Sequence, residues 1–197
     1  LDLKHLPEEE YDPPMGYSSG AGVIFGAGGG VMEATLRTVY EKLTGDKMKE
    51  VQYESIRSDS IRELELEIKG EKLRFAVARG LGNARRLIDR ILRGEAEYHL
   101  VEVMACPGGC IGGGGQPIYS HQDNWYMQVE AGNERGTALF TADEGKKIRT
   151  SHENPWIQKL YNEYLGNPMG DLSRELFHSS YTERPMYGKT SHDIEKL

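Results

Sequence analysis

Apolar residues in the first part of the chain are spaced as in a strand followed by a helix. Residues 21–25 form a short apolar run typical of a buried strand, and residues 26–30, the glycine loop, follow it. From residue 31 to residue 43, apolar side chains recur at helical spacing, and Gly45 stands where a helix would end. The pattern therefore predicts a strand, a loop and a helix in that order.

Strand patterns dominate the next part of the chain. Residues 50–56 give a weak one, and residues 62–68 alternate apolar side chains with charged ones, which predicts a strand with one face in water. A Lys-Gly-Glu turn leads into residues 73–78, so these two segments predict a hairpin. Residues 98–104 are predicted to form a buried strand that runs directly into a cysteine.

Residues 81–92 carry the pattern of an amphipathic helix. The side chains expected to face inward are Leu87, Ile88, Ile91 and Leu92. The resulting order of elements, β-α-β-β-β-α-β, predicts an α/β fold in which helices flank a mixed, mainly parallel sheet.

The character of the sequence changes after Pro117, where polar and aromatic residues become frequent. Residues 141–177 predict short helices. The residues expected at helix starts are Asp143, Asn154 and Pro155. We expect the chain to divide into an α/β lobe, residues 1–117, and an irregular or helical segment that wraps it, residues 118–197.

The charge balance narrows the class of partner. Lys and Arg total 24 and Asp and Glu total 31, so the formal net charge is −7. This argues against a nucleic-acid-binding surface, which needs a basic footprint. No apolar run approaches the length of a membrane span. The start of the chain lacks a signal-peptide pattern and an initiator Met, so we expect a cytoplasmic protein that is processed or part of something longer.

The two cysteines carry the strongest chemical signal. Cys106 and Cys110 follow a predicted strand, and six of the chain's 24 glycines fall between Gly108 and Gly115. Thiolates are soft ligands that suit iron–sulfur clusters, zinc or copper, and glycines let the backbone approach a large inorganic group. Two interpretations stay open at this point: a metal site, or a tight turn with two inert cysteines.

A metal site on this loop would need more ligands than the chain offers. Structural zinc sites and iron–sulfur clusters both use four, whereas the chain supplies two cysteines and scattered histidines. Zinc is the weaker candidate. The shortage points to a partner segment that contributes the remaining ligands.

The string around the cysteines, EVMACPGGCIGGGGQP over residues 102–117, resembles the C-terminal active-site signature of the [FeFe]-hydrogenases. Residues 22–34, GVIFGAGGGVMEA, are similar to the family's strand-loop-helix motif, which usually carries Thr where this chain has Gly28. Residues 80–85, GLGNAR, and 151–155, SHENP, also resemble family segments. The resemblance covers nearly the whole chain and implies the second lobe of the iron hydrogenase fold, followed by a small-subunit-like segment.

The resemblance implies an enzyme that cleaves or makes H2 at the H-cluster, a [4Fe–4S] cubane joined to a di-iron subcluster by a cysteine sulfur. Cys106 and Cys110 match the last two of the four cysteines that hold it, and Cys110 matches the bridging one. Met104 matches a residue packed beside the di-iron unit, so Cys110 and Met104 are the implied catalytic residues. The loop that faces the diatomic ligands corresponds to Phe25, Gly26 and Ala27.

The family's earlier cysteine motifs and its proton path lie in the N-terminal half of the catalytic domain, and this chain contains neither. We therefore expect a C-terminal half that is inactive alone and depends on the missing half, or on a separate subunit that carries it. Electrons would pass to or from ferredoxin or an NAD(P)-linked module. Two alternatives are a non-catalytic iron–sulfur protein of the cytosolic assembly type and a sensor of H2.

Overall fold

The computed structural model describes residues 5–7, 9, 12, 16–48, 61–106, 108–117 and 125–182. Its helices and strands are α1 (Gly20–Ile24), α2 (Gly30–Thr44), β1 (Ile61–Ile68), β2 (Glu71–Arg79), α3 (Leu81–Leu92), β3 (Leu100–Met104), α4 (Trp125–Glu144), α5 (Pro155–Leu160) and α6 (Asp171–Phe177). A turn of 3-10 helix, Cys110–Gly112, follows β3, and a π-helical turn, Tyr161–Leu165, follows α5. The chain divides into two compact units, Leu1–Ile157 and Gln158–Leu197.

The described strands form a mixed sheet in the order β1-β2-β3. β1 and β2 are an antiparallel hairpin whose two turn residues, Lys69 and Gly70, both have positive φ, as the tight turns of hairpins require. β3 runs parallel to β2, with Arg79 beside Met104 at the carboxyl end of both strands. The predicted α/β class and the predicted hairpin are confirmed.

Each face of the sheet packs on a helix. On one face the buried cluster consists of Met32, Leu36, Leu64, Phe75 and Val77, which joins the sheet to α2. On the other face it consists of Ala76, Ala78, Ala84 and Leu87, which joins β2 to α3. β2 therefore lies between two helices. Its carboxyl end lies beside the carboxyl end of β3, just before Cys106.

The first apolar run forms a helix, so the predicted strand at residues 21–25 is wrong. The hydroxyl of Ser19 accepts a hydrogen bond of 3.3 Å from the Gly22 N–H and so caps α1. A short apolar run fits a buried helix as well as a strand, and a capping serine ahead of it favours the helix. Ala21 and Ile24 are completely buried, so the run does contribute to the core.

The predicted helices over residues 31–43 and 81–92 are confirmed as α2 and α3. Gly45 ends α2 as expected, with φ of 84°. The predicted inward face of α3 is too wide, because only Leu87 of its four residues is buried. The solvent-exposed fractions of the other three residues are 47% for Ile88, 38% for Ile91 and 77% for Leu92. The contact is narrow because α3 rests on the small alanines of β2.

β3 differs from the buried strand predicted at residues 98–104. It begins at Leu100, and Glu102 is its only buried residue. Since β3 is at the edge of the described sheet, Leu100 and Val103 remain exposed. The weak strand predicted at residues 50–56 lies outside the described residues.

A long helix, α4, occupies residues 125–144, where the sequence predicted short helices beginning only at residue 141. Asp143 is buried within α4 and does not cap a helix start, so that prediction is wrong. Asn154 does cap α5, since its side-chain oxygen accepts a 3.0 Å hydrogen bond from the Trp156 N–H. Within the described ranges, no helix has both the length and the apolar character that crossing a bilayer requires.

Candidate metal centre

The carboxyl end of β3 leads into residues 105–117, the cysteine loop. Cys106 and Cys110 are free thiols, the first half-buried and the second exposed. The turn between them closes with a 3.1 Å hydrogen bond from the Gly109 N–H to the Cys106 carbonyl. A Cβ at Gly113 would lie 3.4 Å from the Cys106 sulfur, so this glycine leaves space beside it. Neither sulfur is sealed in hydrocarbon, and both are therefore accessible to an inorganic group.

The glycine loop, which joins α1 to α2, packs against the cysteine loop through backbone atoms. The Gly28 N–H donates to the Gly108 carbonyl at 2.9 Å, and the Ile111 N–H donates to the Gly26 carbonyl at 3.1 Å. A Cβ at Gly109 would stand only 2.7 Å from the Gly28 nitrogen. The two loops can approach this closely because side chains are missing on both sides of the contact.

Glu102 ties the glycine loop to β3. Its buried carboxylate accepts hydrogen bonds from the Gly29 N–H at 2.7 Å and the Met32 N–H at 2.6 Å. These amides belong to the beginning of α2, where unpaired N–H groups and the helix dipole favour a carboxylate. Sequence reasoning did not single out Glu102, although a lone glutamate within an apolar strand was an available signal.

The sequence-predicted site residues lie on these two loops, at the end of α1 and at the end of β3. Met104 is half-buried, and its sulfur lies 2.8 Å from where a Cβ on Gly109 would stand. Phe25 is 46% exposed at the end of α1. Ala27 is buried.

The donor set fits part of an iron–sulfur site. Among the described residues, no group of three or more His, Cys, Asp or Glu side chains could hold a metal ion. Two free thiols surrounded by side-chain-free backbone instead suit a cluster whose other ligands come from elsewhere.

A buried charge network joins α2 to the end of α4. Asp143 is completely buried and accepts hydrogen bonds from Arg37, at 2.9 and 2.7 Å, and from Arg149 at 2.6 Å. Burial alone would raise the pKa of Asp143, but the hydrogen bonds from both arginines outweigh burial and hold the pKa below its usual value. Since Arg37 also pairs with Glu33 at 2.5 Å, the network fixes the first turns of α2.

Gly109→Ala is expected to push the two loops apart. Gly109 has φ of 92°, and its new methyl group would meet the Gly28 nitrogen at 2.7 Å and the Met104 sulfur at 2.8 Å. Strained backbone and overpacking together predict a loss of roughly 2–4 kcal/mol in the free energy of unfolding, measurable by urea denaturation. Gly114→Ala is the matched control because nothing lies within 4 Å of its Cβ position. Equal stability of the two variants would contradict the described loop contact.

The fold and this site define a protein with an α/β lobe that presents a pair of free cysteines on a glycine-rich loop. The family described as "Iron only hydrogenase large subunit, C-terminal domain" matches residues 1–114, and "Iron hydrogenase small subunit" matches residues 130–184. The chain therefore belongs to the iron-only hydrogenase family and corresponds to a C-terminal part of the large subunit. The resemblance inferred from the sequence is confirmed.

Individual relatives agree with this assignment. The NADP-reducing hydrogenase subunit HndD of Solidesulfovibrio fructosivorans is 46% identical over 185 residues, covering 93% of this chain and 30% of the relative. Cytosolic iron-sulfur assembly component 3 of Mus musculus is 34% identical over 170 residues, covering 83% of this chain and 33% of the relative. A solved structure that revealed stepwise [FeFe]-hydrogenase H-cluster assembly, HydA(deltaEFG), is 40% identical with a TM-score of 0.70, covering 92% of this chain and 51% of that one. The chain thus spans about a third of the curated relatives and about half of the solved chain.

Proposed function

We propose that this chain is the C-terminal part of an [FeFe]-hydrogenase catalytic domain, which reversibly converts H2 into protons and electrons at an H-cluster. The observation that carries the proposal is the pair of free thiols on a loop packed, backbone to backbone, against a second glycine-rich loop. Cys106 and Cys110 would be two of the four cysteine ligands, and Cys110 would bridge the cubane and the di-iron unit. The other two ligands would come from the missing half or from a separate subunit.

When bound, the H-cluster supplies the open metal site and the redox chemistry. The chain's own residues bind and shield it. Because Cys110 is exposed and Cys106 is half-buried, the cofactor would lie on the outer side of the cysteine loop, where a complementary half can reach it. Met104 would pack beside the di-iron unit, and the loop at Phe25, Gly26 and Ala27 would face its diatomic ligands and limit the entry of water. Glu102 would hold that loop in place through its two backbone hydrogen bonds.

The division of the chain and its partners are part of the proposal. Residues 1–117 would form the second lobe of the catalytic domain, and residues 118–197 would wrap it as a small-subunit-like segment. Electrons would pass to or from ferredoxin or an NAD(P)-linked module. The second option is supported by the similarity to HndD, a subunit of an NADP-reducing hydrogenase.

A second candidate function is that of a non-catalytic iron–sulfur protein. The similarity to cytosolic iron-sulfur assembly component 3 supports it, because that relative is 34% identical over most of this chain. In such a protein the same two cysteines would hold a cubane without a di-iron unit. The two functions therefore differ in one measurable property, which is the presence of iron-bound diatomic ligands.

Co-expression separates the two functions. We expect this chain, produced with a complementary N-terminal half and the hydrogenase maturation machinery, to give infrared bands of iron-bound CO and cyanide together with H2 turnover. The control is the same pair of chains produced without the machinery, which should hold iron but lack the bands. A folded, iron-loaded complex that lacks the bands even with the machinery would favour the assembly-type protein.

A further inference from the structure

Arg79, at the carboxyl end of β2, is a cation that has no counter-charge among the described residues. It is the last residue of β2 and lies beside Met104 in the strand pairing. Its Nε is buried and has no hydrogen-bond partner among the described residues. Burial, followed by the like charge of Arg62, lowers the pKa of Arg79. The carboxylate of Glu102, on the neighbouring strand β3, is committed to the two backbone N–H groups at the beginning of α2.

The stem of Arg79 lies across the glycine loop at Gly28. A Cβ at Gly28 would come within 2.4 Å of the Arg79 Cδ and 2.9 Å of its Cγ, so no other residue fits at position 28 while Arg79 keeps this path. The same Cβ position is 3.3 Å from the Gly108 carbonyl, which lies between the two cysteines in sequence. Arg79 therefore reaches the contact between the glycine loop and the cysteine loop through the space that Gly28 leaves open.

A partly buried guanidinium whose buried Nε has no hydrogen-bond partner costs stability, because its charge loses hydration and gains no ion pair in return. Such a charge is retained where an anion supplied from outside the described residues balances it. The loop that Arg79 approaches carries two thiols, which bind iron as thiolates and make an iron–sulfur cluster anionic. The location of the charge thus matches the location of the proposed cofactor.

We infer that Arg79 is a charge-balancing residue for the iron–sulfur cofactor held by the cysteine loop, a role that rests on the proposed function. A fixed positive charge stabilises the reduced cluster more than the oxidised one, because reduction adds a negative charge. Arg79 therefore raises the reduction potential of the cluster. Gly28 serves this role by making room for the arginine stem.

The test uses the complex of this chain with a complementary half, in which the [4Fe–4S] cluster has been reconstituted. Its one-electron reduction is titrated with dithionite and followed by electron paramagnetic resonance. Arg79→Met should shift the midpoint potential to more negative values, and Arg79→Lys should keep most of the wild-type potential. Arg86→Met, which removes an exposed arginine from α3, is the matched control and should leave the potential unchanged.

The outcomes distinguish this inference from the proposed function. If the wild-type complex takes up no cluster, the proposed function fails, and the role of Arg79 fails with it. If the cluster binds and Arg79→Met leaves its potential unchanged, only the inference about Arg79 is overturned. Unchanged potential with weaker association of the two halves would show that Arg79 instead pairs with a carboxylate of the other half.

Thermal melting of the same complexes before the cluster is reconstituted checks the premise. Because Arg79→Met removes a partly buried charge that has no partner among the described residues, its cluster-free complex should melt at the temperature of the cluster-free wild type or above it. A clearly lower melting temperature would show that the guanidinium has a stabilising partner, which would overturn the inference.

Discussion

Cys110→Ser should abolish retention of the di-iron unit and reduce H2 turnover to background. A serine hydroxyl stays protonated at neutral pH and is a hard ligand, so it cannot replace a bridging thiolate on iron. The loop itself should persist, because the hydrogen bonds that shape it come from backbone groups of Gly28, Gly109 and Ile111. We therefore expect an intact complex that lacks the infrared bands of iron-bound CO and cyanide.

The control for this variant introduces serine elsewhere on the same loop. Gln116 is exposed, so Gln116→Ser should leave the iron content and the infrared bands as in the wild type. Cys106→Ser should deplete the cubane, since under the proposed function it removes a ligand of that part of the cluster. A Cys110→Ser complex with full H2 turnover would refute the bridging role of Cys110.

Asp143→Asn should cost about 3–5 kcal/mol in the free energy of unfolding, because it leaves two arginines facing a neutral group in a buried site. Asp143 has no exposed surface and binds Arg37 and Arg149 through both oxygens. Urea denaturation followed by circular dichroism measures the loss. Glu144→Gln changes the exposed neighbouring residue and should stay within about 0.5 kcal/mol of the wild type.

The pH dependence of stability gives a second test of the same network. Despite burial, the hydrogen bonds from Arg37 and Arg149 lower the pKa of Asp143 in the folded state. Its contribution is therefore present above the unfolded pKa of about 3.9 and is lost as the pH falls through the lower folded pKa. The stability difference between wild type and Asp143→Asn should shrink below about pH 4. A difference independent of pH would contradict an ionised Asp143.

Much of the fold follows from local pattern. α2 and the hairpin were predictable because their periodicity extends over eight or more residues and their ends carry glycine. α1 was not, since five apolar residues satisfy a helix and a strand equally. The exposed residues of α3, such as Leu92, show a different limit: hydrophobic periodicity gives the direction of the buried face but not its width.

The candidate site was predictable where residue type alone carries the chemistry. Cys106 and Cys110 stand out because few side chains bind iron, and the glycines around them indicate close backbone approach. Glu102, Arg79 and Asp143 were missed as parts of the site because their roles depend on distant contacts. Glu102 bonds to amides 70 and 73 positions away, and Asp143 to an arginine 106 positions away.

The contact between the glycine loop and the cysteine loop is made by hydrogen bonds between backbone N–H and carbonyl groups. Most substitutions of one side chain for another in either loop should therefore leave the strength of this contact unchanged. Replacing a glycine has a different effect, because the added Cβ can occupy space that neighbouring atoms already fill. Random mutagenesis of this region should therefore yield a sharply two-valued outcome, with harmful hits concentrated at Gly30 and Gly109, whose added Cβ would meet backbone atoms at 1.7 and 2.7 Å, and broad tolerance at Gly114.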